Sequence, residues 1–266
     1  MSDEQMTIRR PAVAGMFYSD DPDQLWSDVA YYLQHAEAST KPTPKAIIVP
    51  HAGYIYSAPI AASAYRQLQS AKHKIKQVIL LGPSHRVAFK GMATPDVDFF
   101  STPLGNIKIN QTLCAKAEAL NFVHKNPLAH AQEHSLEVQL PFLQSVLNEF
   151  ELTPLVVGDC EPDDVAQLLE LLWGDDETLI VISSDLSHYH NYNAAQELDK
   201  KTSLAIENCQ PEKISFDDAC GRLPLNGLLT LAIKKHLKID TVDLRNSGDT
   251  AGDKQRVVGY GAYVVH

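Results

Sequence analysis

Two histidines, His51 and His85, each follow a short apolar run and a bend in the chain. Neutral imidazole is the commonest protein ligand of transition metals, and two imidazoles on adjacent strand ends can share one ion. Asp185 and His188 follow a third such run, spaced Asp-x-x-His. If a helical turn begins there, both side chains fall on one face, with His188 as a general base or acid and Asp185 as its orienter. Taken singly, each histidine is equally well explained as a strand-end residue bonded to a backbone carbonyl, and Asp185 as a helix cap. Taken together, with Pro50 before the first and Gly82, Pro83 and Ser84 before the second, they define a shared site.

Further candidates lie elsewhere. Glu133 and His134 precede an apolar stretch, either as a cap or as a buried acid–imidazole pair beside a metal. Cys220 has the type of a thiolate ligand or a nucleophile, and equally of a small buried apolar residue. Arg86 and Arg222 can receive an anion or pair with nearby carboxylates. The G-x-S-x-G pattern of α/β hydrolases is absent. No glycine-rich phosphate loop follows an early strand.

The elements that must position these residues are legible from pattern. Residues 46–49, 77–81 and 179–182 are apolar without alternation, as in strands buried on both faces. Each delivers its His or Asp at its carboxyl end, where open α/β sheets bind ligands. Ser57 is placed to cap a helix with Pro59 in its first turn. Helices are expected over 22–36, 111–120, 135–147 and 162–173, over 193–208 capped by Asn193 with Gln196 closing a capping box, and over 225–236. Pro141 either kinks the 135–147 helix or marks its real start. Residues 87–110 read as a hairpin excursion from the main sheet, turning at 104–106, 124–134 as a histidine-bearing loop, and 241–245 with 257–265 as a closing strand pair. Residues 1–10 make a loose start and 39–44 a linker. The expected fold is one α/β domain over 1–266, a mostly parallel sheet flanked by helices with antiparallel additions.

Composition narrows the function. The 266 residues are 44% hydrophobic and 21% charged, as in ordinary globular proteins. A formal net charge of -10 argues against duplex nucleic acid as a partner. No apolar run approaches the ~20 residues of a membrane span. The amino terminus lacks a signal-peptide core, so a cytoplasmic location is expected. The four cysteines are scattered, with no C-x-x-C, so neither a disulfide framework nor a zinc ribbon is indicated.

Six blocks, in order, carry a family resemblance: RPAVAGMFY at 10–18, PHAGYIYS at 50–57, LGPSH at 81–85, EHSLEVQLPF at 133–142, SSDLSHY at 183–189 and CG at 220–221. Together they resemble the MEMO family. The resemblance implies a fold similar to the class III, LigB-type extradiol dioxygenases, which open catechol rings with non-haem iron. It puts His51 and His85 at the two metal-histidine positions and Cys220 at the third, where the dioxygenases have a glutamate. It puts His188 at the position of their acid/base histidine, with Asp185 beside it; His134 joins this candidate catalytic set. Iron comes first on this resemblance, and the softer thiolate admits copper or zinc. AMMECR1-like and radical-SAM proteins are the implied partners. Animal members are associated with phosphotyrosine peptides and redox signalling, and a tryptophan near their start is replaced here by Phe17.

Three functions remain from sequence. One is a metal-dependent, dioxygenase-like oxidoreductase of unknown substrate. Another is a peptide- or protein-binding adaptor that keeps the pocket without turnover. The last is a Cys220/His188 hydrolase or transferase.

Overall fold

Strand register explains the architecture. In Ala46–Val49, Ile47 and Val49 enter one hydrophobic core while Ala46 and Ile48 enter another. Thr178–Ser183 and Gln77–Pro83 divide the same way, Leu179, Val181, Val78 and Leu80 on one side and Ile180, Ile182, Ile79 and Leu81 on the other. A strand with period-two side chains and a core on each face must be apolar throughout, which is why these runs show no alternation.

The computed structural model describes residues 6–38 and 42–266. The expected loose start falls partly, over 1–5, outside the described residues, as does the linker over 39–41. Among the described residues, nine strands make the main sheet. Ala46–Val49, Thr178–Ser183, Gln77–Pro83 and Glu151–Val157 run parallel in that spatial order. Val257–Val265 closes one side antiparallel to Ala46–Val49, with Ile239–Asn246 beyond it. Met92–Thr94 and Val123–Lys125 extend the other side. Phe99–Thr102 and Gly105–Lys108 form the expected hairpin, joined by Ile8–Arg9 in a separate three-stranded sheet. Helices Pro22–His35, Tyr54–Tyr65 and Leu140–Val146 pack on the first core. Pro162–Leu171, Tyr192–Glu207 and Arg222–Lys235 pack on the second. No helix among the described residues is long and apolar enough to cross a membrane.

Several local expectations are corrected. The helix after His51 begins at Tyr54 with Gly53 as its cap, because the Tyr54 N–H already has a partner in the Phe17 carbonyl at 2.7 Å. Ser57 therefore lies inside the helix, its hydroxyl donating to the Ala52 carbonyl, and Pro59 is internal. The cap of Tyr192–Glu207 is Asn191, not Asn193; its side chain accepts the Ala194 N–H, and Gln196 instead donates to the Tyr192 hydroxyl. Within 124–134, Val123–Lys125 is a strand and Pro127–Ala131 a helix. Of the 135–147 stretch, a 3₁₀ turn Glu137–Gln139 leads into Leu140–Val146, so Pro141 marks the true start. Residues 185–188 make no helical turn. Leu186 N–H donates to the Gly259 carbonyl and Gly259 N–H to that of Ser187, and this pairing draws His188–His190 into a short antiparallel strand.

Candidate metal centre

Register alone brings the site together. Val49 pairs with Ser183, and Leu81 with Ile182, so three strands end at one rim. His51, Asp185 and His85 each sit two residues beyond Val49, Ser183 and Pro83, where those strands end. His51 and Asp185, in register, meet directly: the His51 N–H donates to Asp185 Oδ1 at 2.6 Å.

A hydrogen-bond chain fixes the His51 tautomer. The Tyr65 hydroxyl donates to Gln139 Oε1, so the other amide atom is Nε2, which donates to the Pro50 carbonyl and to Ser183 Oγ. Ser183 Oγ gives its one proton to the Ser135 carbonyl at 2.6 Å. It must then accept from His51 Nδ1, 2.9 Å away. Nδ1 carries the proton, and Nε2 is left as a bare lone pair. His51 is 2% exposed, and burial, then the neighbouring His85 and His134, hold its pKa well below the usual value. It is neutral, as ligation requires.

His85 is fixed by Glu133, which is 1% exposed. Burial works to raise this carboxyl. The His85 ring, the His85 N–H and the Ser135 N–H outweigh it and bring its pKa down to about 2. An ionised carboxylate only accepts, so His85 Nδ1 is the donor at 2.9 Å and Nε2 is again the free nitrogen. The carboxylate–imidazole pair is the usual support of a metal-bound histidine. The Glu133–His134 dipeptide thus divides its roles, Glu133 beneath His85 and His134 in the cluster.

The His134 ring stacks on His85 at 4.7 Å and lies edge-on to His51 at 5.6 Å. One ring nitrogen from each of His51, His85 and His134 lies within 4.8 Å of the other two. His134 Nδ1 is buried without a hydrogen-bond partner among the described residues. Its nearest charged neighbour is Glu133 Oε1 at 3.5 Å, and three imidazole nitrogens at this spacing could hold a metal ion.

Cys220 adjoins this cluster, its Sγ 3.3 Å from His51 Nε2. Its approach depends on Gly221. A Cβ there would fall 2.6 Å from Ser184 Cβ and 2.7 Å from the Ser183 carbonyl oxygen, so only glycine lets the segment touch the strand end. Burial, and then Asp185, push the Cys220 thiol up. Without a cation beside it, it is a thiol, which donates to the Asp185 carbonyl at 3.7 Å. That removes support for an activated nucleophile.

Asp185 is buried, and burial raises its carboxyl against the His51 N–H and the nearby imidazoles. His188 Nδ1 donates to the Leu186 carbonyl at 2.8 Å, leaving Nε2 to take a proton. A cavity of about 650 Å³ opens over the rim, lined by Phe17, Tyr56, His134, Asp185, His188 and Tyr260 among others. A larger groove of about 810 Å³ lies against Tyr32, His35, Ser63 and Asp243. None of the clustered histidines lines it, whereas His134 lines the smaller cavity.

Sequence reasoning missed the supports. Arg9 is buried and bonded to Glu137, which is fully buried and also accepts from Ala12 N–H, Val13 N–H and the Tyr18 hydroxyl. Arg9 further donates to the carbonyls of His130 and Glu133, so it fixes the backbone from which Glu133 reaches His85. A single buried Arg–Glu pair so far apart in sequence leaves no periodic signal.

An α/β protein with a histidine-rich cluster able to hold a metal ion at the carboxyl rim of its sheet is the class that fold and site define. The Memo-like protein family model matches residues 9–264, and the chain belongs to that family. A MEMO1 family protein of Aquifex aeolicus is 37% identical, with 96% of this chain and 98% of that one covered. Those of Metallosphaera sedula and Methanobrevibacter smithii are 35% and 33% identical, each covering 95% of this chain and 97% and 98% of their own length. Among solved structures, an uncharacterized protein of Escherichia coli K12 superposes with a TM-score of 0.51 at 12% identity, covering 84% of this chain and all of that one, and is alike in fold alone.

Proposed function

We propose that this protein is a metal-dependent oxidoreductase of the dioxygenase-like kind, acting on a small organic molecule. His51, His85 and Cys220 hold a divalent ion, with His134 beside them. The reading is carried by one observation: both His51 and His85 have Nδ1 committed to an inner acceptor, which leaves each Nε2 unprotonated and able to ligate. A bound ion would supply Lewis-acid or one-electron chemistry. Iron fits the imidazoles, and the thiol admits copper or zinc.

The chain's own groups do the rest. Glu133 fixes the His85 ring and strengthens it as a donor. Asp185 holds the His51 backbone. His188 Nε2 accepts or returns a proton in the cavity, whose volume of about 650 Å³ suits a small molecule.

Metal content after anaerobic purification tests this. The wild type is expected to hold a stoichiometric transition metal, Cys220→Ser less, and the His51→Ala/His85→Ala double variant none. A wild type that takes up no iron, copper or zinc, with a double variant of unchanged stability, would refute the proposal.

The adaptor reading draws support from Met16 and Tyr189, which line the cavity yet are 73% and 63% exposed, as a partner-binding rim would be. AMMECR1-like or radical-SAM proteins would be its partners. Partner binding that survives loss of both histidines would favour it.

A further inference from the structure

The cavity lined by His134 and His188 also carries a cation. Arg256 lines the same cavity as His134, Asp185 and His188. It makes no ion pair among the described residues, although the chain has 33 acidic residues against 23 Lys and Arg. The nearest carboxylate in sequence, Asp253, turns Oδ1 to the backbone: it accepts the N–H groups of Gln255 and Arg256 and so closes the turn that delivers Arg256.

What holds the guanidinium is a ring. Its Cζ lies 5.0 Å from the centroid of Tyr189. Stacking on an aromatic face orients the planar fork and leaves its N–H groups free to donate. Tyr189 takes a left-handed backbone, φ 63°, which is unfavourable for a tyrosine. That conformation sets its ring between Arg256 and His188, the latter at 5.7 Å between centroids. An exposed aromatic held in a strained conformation, under an unpaired arginine and beside a proton-transfer histidine, has the construction of a substrate contact.

We propose that Arg256, seated on Tyr189, is an anion subsite that receives the carboxylate of a small organic substrate while the rest of the molecule extends toward His188 and the metal cluster. A single guanidinium matches a monoanionic carboxylate, which it meets with two parallel N–H···O bonds. A phosphate dianion would ask for more positive charge than this wall carries, with Asp185 and Asp253 lining the same cavity. The proposal names the substrate class for the metal-dependent reading above and rests on it for the reaction, though not for binding.

The test uses metal-free protein, so that a carboxylate cannot be captured by an ion. Benzoate, the uncharged benzyl alcohol and inorganic phosphate are each titrated by calorimetry into wild type, Arg256→Gln and Arg256→Lys. Wild type is expected to prefer benzoate over benzyl alcohol by roughly tenfold or more. Arg256→Gln abolishes the preference, and Arg256→Lys, which keeps the charge but not the fork, restores part of it. Equal binding of benzoate and the alcohol by wild type, or a preference that persists in Arg256→Gln, overturns the subsite. Phosphate binding more tightly than benzoate overturns its assignment to carboxylate. A wild type that binds no metal yet shows the Arg256-dependent preference retains this subsite and loses the metal centre. One that binds metal without the preference does the reverse.

Discussion

At the scale of single residues, the site is a set of proton positions rather than a set of distances. Ser183 Oγ has one proton and two lone pairs, and all three are committed, to Ser135, Gln139 and His51. Ser183→Ala strands the Gln139 N–H, the Ser135 carbonyl and His51 Nδ1 at once. Denaturation should show a loss of about 1–3 kcal/mol for each group left without a substitute partner, and zinc titration a weaker site, because His51 is then free to move its proton to Nε2. Glu133→Gln keeps the shape but not the charge, and competition against a chelating dye should report roughly 10–100-fold weaker metal binding. Cys220 makes a separate prediction. As a buried thiol it must lose its proton to act as a ligand, so zinc binding should release a proton that Cys220→Ser no longer releases. Calorimetry in buffers of different ionisation enthalpy measures it, and equal release from both proteins would take Cys220 out of the ligand set.

At the scale of elements, the centre depends on two close approaches. The turn bearing Cys220 reaches the end of Thr178–Ser183 only because Gly221 has no side chain. Gly221→Ala should cost about 1–3 kcal/mol through overpacking and displace Cys220 from His51, seen as weaker metal binding in a protein that still folds. The strand Ile8–Arg9 is tied to the segment around Glu137 by the buried Arg9–Glu137 pair. Arg9→Met leaves the Glu137 carboxylate buried and unpaired, and denaturation should show a loss of about 3–5 kcal/mol. A smaller change would mean that the Ala12, Val13 and Tyr18 donors suffice alone.

At the scale of the whole molecule, burial of neutral imidazoles sets the response to acid. His51, His130 and His134 all have pKa values lowered by burial, His130 to about 4. A group whose pKa is lower folded than unfolded contributes stability that is present above the unfolded value and lost as pH falls toward the folded one. Thermal stability of the metal-free protein should therefore fall between pH ~6.5, the unperturbed histidine value, and about 4. Glu133 adds a second acid limb between its ordinary value and about 2, and Glu133→Gln should flatten it. A melting temperature constant from pH 7 to 4 would contradict the neutral, buried state of these rings.

The sequence by itself determined the layers and the rim. Runs such as 46–49 and 179–182, apolar on both faces, can only be strands inside a covered sheet, and register then carries His51, His85 and Asp185 to one edge. It also placed most helices to within a few residues, because periodicity is a local property. The exceptions, Gly53 capping in place of Ser57 and Asn191 in place of Asn193, turn on which backbone donor already has a partner elsewhere. The tertiary structure decided the chemistry: which nitrogen of His51 bears the proton, that Glu133 serves His85 while His134 joins the cluster, and that Cys220 lies against His51. It also turned His188 into a strand residue in place of the expected helical turn. Each of those outcomes is a hydrogen bond or close contact between segments distant in sequence, and such a contact leaves no period to be read along the chain.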